Sequence, residues 1–217
     1  MLLELKRLTV PPGQRVILQD VTWAEFEQIL LELGETRAAR IAYHQGILEI
    51  MTPLPEHEKA KLYITNFVEI ILEELDIDFV PLGSTTFKNP AMSQGIEPDN
   101  CFYIQNEAAV RQKDRLDLAT DPPPDLALEV DVTSPTNRMI YEGLKVPELW
   151  QFNRGKLTIY LLQDNGKYVE STQSAIFPNL PVVDVIPVYL ERAKIEGRNQ
   201  TMRAFRAWVS SETGFLA

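Results

Sequence analysis

From Asp125 to Val132 the chain alternates residue by residue. Leu126, Leu128, Val130 and Val132 are apolar, and Asp125, Ala127, Glu129 and Asp131 stand between them. Side chains two apart leave a strand on the same side, so the pattern predicts a β-strand with one apolar face and one mostly acidic face. The polar stretch 106–124 before it ends in Pro122-Pro123-Pro124 and reads as an exposed connection with one helical turn.

Other segments supply what such a strand needs around it. Thr22 stands three residues before Glu25 and a periodic apolar run follows to Gly34, the signature of a capped helix over about 22–33. Residues 40–43 and 47–51 flank His44-Gln45-Gly46 as a hairpin, and 148–152 with 157–162 flank Asn153-Arg154-Gly155 as another. From Glu56 to Leu75, Ala60, Ile64, Phe67, Val68, Ile71, Leu72 and Leu75 recur at helical spacing, with Glu56 and Glu58 suited to the positive helix start. Short strands are expected over 78–82, 85–88, 99–104 and 167–171, and helices over about 137–145, 186–197 and 199–210. Trp23, Phe67, Met139, Trp150 and Trp208 fall at core periodicities. The order of elements indicates an α/β (α+β) fold, and 217 residues without a long linker or repeat suit a single domain.

Charge limits the partners. Lys and Arg number 21 and Asp and Glu 31, a net −10, which argues against a general nucleic-acid coat protein. It leaves open a protein that meets phosphate through a divalent metal. Residues 188–217 reverse the balance, and their arginines suit a solvated helix face, a dimer contact or a DNA-backbone contact. One cysteine, Cys101, rules out an internal disulfide and a Cys-based metal site. The N-terminus lacks the apolar core of a signal peptide and no run could span a bilayer, so no membrane partner and a cytoplasmic location are expected.

The acids are the chemistry. Glu129 and Asp131 leave one strand face together, and Asp99, directly after Pro98, opens another strand. Adjacent carboxylates repel unless a cation joins them, and Mg²⁺ is commonly bound by one or two carboxylates with waters and phosphate oxygens. Asp99, Glu129 and Asp131 would form a cup suited to phosphodiester hydrolysis. The plainer alternative is a strand with one wet face.

Pro98-Asp99, followed by Glu129-Val130-Asp131, resembles the Pro-Asp…(Asp/Glu)-X-Lys signature of the restriction-endonuclease-like nuclease superfamily. The blocks Leu48–Glu58, Leu128–Ser134 and Val146–Trp150 resemble one branch more specifically: the "putative restriction endonuclease" family abundant in cyanobacteria. The resemblance spans roughly 18–190. It implies a central mixed β-sheet flanked by helices, with a metal site at one end of the sheet. Asp99 and Glu129 match the metal-binding acids, the Val130 carbonyl would be a further ligand of Mg²⁺ or Mn²⁺, and Glu56 and His57 match the block that opens the first core helix. The signature lysine would stand at 131, where this chain has Asp131. Arg138, Lys145, Lys59 and Lys61 are the cations considered in its place, although Arg138 is a poor proton-transfer group because guanidinium stays charged.

Two readings of His57 stand side by side: a ligand or general base, or a helix-start histidine bonded to nearby backbone. Glu49 faces either the cleft or solvent, and His44, at a turn, is expected to be exposed and silent. The function implied is a metal-dependent nuclease hydrolysing phosphodiester bonds in DNA. The alternative is a catalytically weakened relative serving as a binding module or homodimeric assembly module.

Overall fold

The computed structural model describes residues 8–34, 39–83, 85–89, 93–131 and 136–214. Strand β1 (Arg15–Leu18) precedes helix α1 (Trp23–Leu33). The Thr22 hydroxyl accepts the Glu25 backbone N–H at 3.3 Å and the Glu25 carboxylate accepts the Thr22 N–H at 2.8 Å, so the expected capping box forms. Strands β2 (Arg40–His44) and β3 (Ile47–Met51) make the first expected hairpin, turning through Gln45 and Gly46 at φ 47° and 89°. Two successive positive φ values match the right-handed twist of the strands they join. Helix α2 (Pro55–Glu74) begins on a proline whose missing N–H would have no helical partner.

Short strands follow: β4 (Val80–Leu82), β5 (Phe87–Asn89), β6 (Gln94–Ile96) and β7 (Asn100–Tyr103). Helix α3 (Glu107–Val110) is the single turn expected between 106 and 124. Strand β8 (Leu126–Val130), helix α4 (Arg138–Leu144) and strand β9 (Glu148–Asn153) form a crossover, and β8 and β9 pair in parallel. Strands β10 (Lys156–Leu162) and β11 (Tyr168–Ser171) lead to helices α5 (Val182–Glu196) and α6 (Arg198–Thr213).

The mixed sheet expected at the centre is present, with strand order β11-β10-β9-β8-β7-β4. A second sheet, β1-β3-β2-β6-β5, is wholly antiparallel. Nothing in the sequence separated the two. Strands β1 and β6 were missed as well, because β1 is a four-residue edge and β6 holds Gly95 and forms only by pairing between β2 and β5. Helix α5 starts four residues earlier than the expected 186 and runs through Pro187, with Val182 and Ile186 buried against the core. Of the expected strand over 125–132, Val132 lies outside the described residues.

Helices α2, α5 and α6 cover one face of the mixed sheet, where Ile64, Phe67, Val68, Ile186 and Phe205 meet Leu126, Leu128 and Trp150. Helix α4 covers the other, with Ile140, Tyr141 and Leu144 against Cys101, Ala127 and Leu149. Every residue of β8 is therefore buried, so the wet-face reading of this strand fails. Helix α1 packs on the second sheet through Phe26, which stacks on Tyr43 at 4.6 Å between ring centroids. Met139, expected in the core, is half exposed because α4 turns it outward. The arginines near the C-terminus are largely spent within the fold: Arg206 bonds Glu73 and Glu74 of α2 at 2.7 Å each, and Arg192 bonds Glu196 at 2.7 Å.

A methyl group on Gly95 would stand 2.8 Å from the Phe26 ring, which is fully buried and has no room to yield. Gly95→Ala is expected to cost about 1–3 kcal/mol, as overpacking does, read as a lower urea midpoint at unchanged slope.

Candidate functional site

The hairpin β2–β3 carries Ile41, Tyr43, Leu48 and Ile50 into the core beneath α1, which leaves the alternate residues to the opposite face. Register places Ala42 beside Glu49, and sets Met51 between Arg40 and Arg15. All five line a cleft of about 200 Å³ whose facing wall is Asp99, Glu129, Val130 and Asp131 with Thr136 and Asn137. The second sheet is what makes this a cleft.

Asp99 is nearly inaccessible, at 2% exposure, and its two oxygens differ. Oδ2 accepts the Val130 backbone N–H at 2.8 Å and lies 2.9 Å from His57 Nε2, an arrangement in which Nε2 carries the proton. Oδ1 lies 3.5 Å from Arg40 Nη2. His57 thus bonds a carboxylate 42 positions downstream, not the backbone beside it, and its Nδ1 sits 3.3 Å from Glu58 Oε1 without a hydrogen bond.

Glu129 accepts a hydrogen bond from the Tyr141 hydroxyl at Oε1. Burial, and next the charge of Asp99, raise its pKa well above the usual carboxyl value, with the Tyr141 bond and Arg40 opposing. Burial also raises the Tyr141 hydroxyl. Asp131 is raised to about 6, again chiefly by burial. Its Oδ1 accepts from the Thr136 N–H at 3.0 Å and hydroxyl at 2.8 Å, and Oδ2 from Gln151 Nε2 at 3.2 Å. Both Asp131 oxygens are occupied in holding 136 and 151.

The remaining candidates are dispersed. Glu49 is in the cleft, paired with Arg15 at 3.0 Å. Glu56 and Lys59 are exposed, and Lys61 lies 3.5 Å from Glu58. Lys145 is exposed in the left-handed conformation at the end of α4 and does not line the cleft. Arg138 also stays outside it, over the Tyr160 ring at 4.3 Å, and reaches Asp131 only through Gln151, whose Oε1 accepts its N–H at 3.1 Å. His44, expected to be silent, is half-buried with a ring nitrogen 3.2 Å from Gln94 Nε2, and burial lowers its pKa.

Arg40, Arg15 and Tyr141 were missed. Alternation along β2 marks Arg40 as opposite Ile41 and Tyr43, but only tertiary packing says that this side faces acids. Tyr141 reads as a core aromatic, which it also is.

For a divalent cation the donor chemistry fits. Asp99 and Glu129 are hard oxygen donors, and burial and then the charge of Asp99 disfavour ionisation of Glu129, a conflict that a cation would relieve. Among the described residues no three His, Cys, Asp or Glu side chains are gathered to hold an ion. The available set is the Asp99 and Glu129 pair, completed by backbone, water or phosphate oxygen.

The raised carboxyls make a stability prediction. When the folded state favours the neutral form, the stabilisation is full below the ordinary carboxyl range near pH 4 and is lost as pH rises, for Asp131 through about 6. Glu129→Gln keeps an acceptor for Tyr141 and cannot ionise. Without divalent metal it is expected to melt with the wild type at pH 4 and at least about 2–4 °C above it at pH 7.5, the shift that ~1 kcal/mol produces at this size. Paired thermal melts across that range check it.

A crystal structure of "a putative nuclease belonging to DUF820 from Anabaena variabilis ATCC 29413" matches with a TM-score of 0.48 and 14% identity, over 87% of this chain and 99% of its own. No curated protein matches the chain. The Uma2 family model, described as "Putative restriction endonuclease", matches residues 23–193, most of the sequence, and the chain belongs to that family.

Proposed function

We propose that this protein hydrolyses phosphodiester bonds in DNA with Mg²⁺ or Mn²⁺ held by Asp99, Glu129 and the Val130 carbonyl. The observation that carries the reading is the buried Asp99 and Glu129 pair at a cleft wall, with burial and the charge of Asp99 disfavouring ionisation of Glu129. The family's description as a restriction endonuclease supports the same substrate class.

The bound cation would supply Lewis acidity and a water of lowered pKa. The chain supplies the rest. Val130 N–H and His57 fix Asp99 through Oδ2, which leaves Oδ1 as the oxygen turned to the cleft. Tyr141 fixes Glu129. Asp131 acts through Thr136 and Gln151, holding the wall in place as a positioning residue. Arg15, exposed at the rim and paired with Glu49 at 3.0 Å, would have to exchange that partner to meet a phosphate backbone.

Mn²⁺ at about 100 times its Kd is expected to stabilise the wild type by about 2.7 kcal/mol and Asp99→Ala by far less, as thermal shift reads. Plasmid DNA is expected to be cut by the wild type and at least about 100-fold more slowly by Asp99→Ala. RNA offered in parallel decides the nucleic acid.

One observation favours a second reading, a catalytically weakened binding or homodimeric assembly module: no lysine lines the cleft among the described residues. Stabilisation by Mn²⁺ with DNA and RNA both intact would establish that reading against the nuclease.

A further inference from the structure

Arg40 has no role in the signature this chain resembles, yet its guanidinium is the lysine or arginine cation paired with Asp99 among the described residues. Its side chain is 11% exposed, too deep for a solvent-facing charge. Nη1 donates to the Pro98 carbonyl at 2.8 Å and so fixes the group beside the segment that delivers Asp99. Nη2 stands 3.5 Å from Asp99 Oδ1 and 3.8 Å from Glu58 Oε1, the distances of a shared ion pair and not of a bidentate clasp. Oδ1 is the Asp99 oxygen not held by Val130 and His57, so Arg40 faces the atom that a metal would need.

We propose that Arg40 serves two states of one site: it is the counter-ion of Asp99 in the metal-free protein and the anchor for the substrate phosphate once a divalent cation takes that oxygen. The second half rests on the phosphodiesterase reading; the first does not. Guanidinium stays protonated, so Arg40 cannot make way for a second cation by losing its charge and must direct it elsewhere. An incoming phosphate is the one anion that the proposed reaction brings to the cleft, and the planar fork of N–H donors matches its oxygens. Register supports the direction. Arg15 and Arg40 both pair with Met51, one from each side, so two guanidinium-bearing residues share one row across the second sheet and face the acids.

This arrangement separates metal affinity from turnover, which a structural role would not do. Arg40→Gln keeps an N–H donor for the Pro98 carbonyl and removes the charge; Arg40→Lys keeps the charge. The full-length wild type and both variants would be titrated with Mn²⁺ by calorimetry and assayed on plasmid DNA at saturating Mn²⁺, with circular dichroism to establish folding. Arg40→Gln is expected to bind Mn²⁺ about three- to tenfold more tightly than the wild type, because a competing positive charge is gone, and to cut about 100-fold more slowly. Arg40→Lys is expected to bind Mn²⁺ like the wild type and to recover part of the rate. Unchanged or weaker Mn²⁺ binding by folded Arg40→Gln overturns the counter-ion role, with Arg40→Lys as the folded comparison should the glutamine variant not fold: tight Mn²⁺ binding there, several-fold beyond the wild type, has the same force. Tighter Mn²⁺ binding by Arg40→Gln with equal turnover overturns the phosphate anchor. A wild type that binds Mn²⁺ but cuts nothing, beside a tighter-binding Arg40→Gln, overturns the nuclease reading and supports the counter-ion role.

Discussion

Strand β8 is covered by α2 on one face and by α4 on the other, and that burial obliges each acid it carries or adjoins to find a partner. An ionised carboxylate out of water is costly unless it is paired and hydrogen-bonded. Asp125 meets the demand with the Ile104 and Asn106 N–H groups at 2.7 and 3.0 Å, and Asp131 with Thr136 and Gln151. Glu129 has Tyr141, and its neighbour across the strands is Asp99, a charge of the same sign. The fold thus satisfies most of its buried acids and leaves one pair in opposition, at the wall of the cleft. Replacing either acid by an apolar residue would have removed that opposition, so stability alone does not account for it.

The surplus of acid looks different once its partners are known. Glu148 accepts from the Trp150 ring at 2.6 Å and from the Ala175 and Ile176 N–H groups at 2.8 and 3.2 Å, tying the segment after β11 to the sheet. Glu107 pairs with Arg111 and Asp121 with Lys113 around the connection that follows β7. Much of the negative charge between 96 and 150 is therefore internal architecture, so net charge is a poor guide to the surface that a nucleic acid would meet. Local sign matters more, and in the cleft the two arginines of the second sheet stand across from the acids.

Most elements were legible because their signals are local. The Thr22/Glu25 box, the helical spacing after Pro55 and the glycine turns at 46 and 155 each depend on residues within a few positions of one another. The elements that escaped, β1 and β6, exist through partners: β1 pairs with β3, and β6 lies between β2 and β5. The site divides along the same line. Asp99, Glu129 and Val130 could be named from a short motif and its spacing. Arg40 comes from a hairpin 59 positions before Asp99, and His57 reaches that carboxylate from the start of α2.

By itself, then, the sequence determined which residues alternate, where helices begin and which acids two apart must share a side, because backbone periodicity and capping act over one or two turns. It could not say that the acidic side of β8 would be buried, that a second sheet would wall the cleft, or that Arg40 would stand beside Asp99. Those outcomes follow from burying three apolar surfaces at once, and the energy that decides them belongs to contacts between segments far apart in the chain.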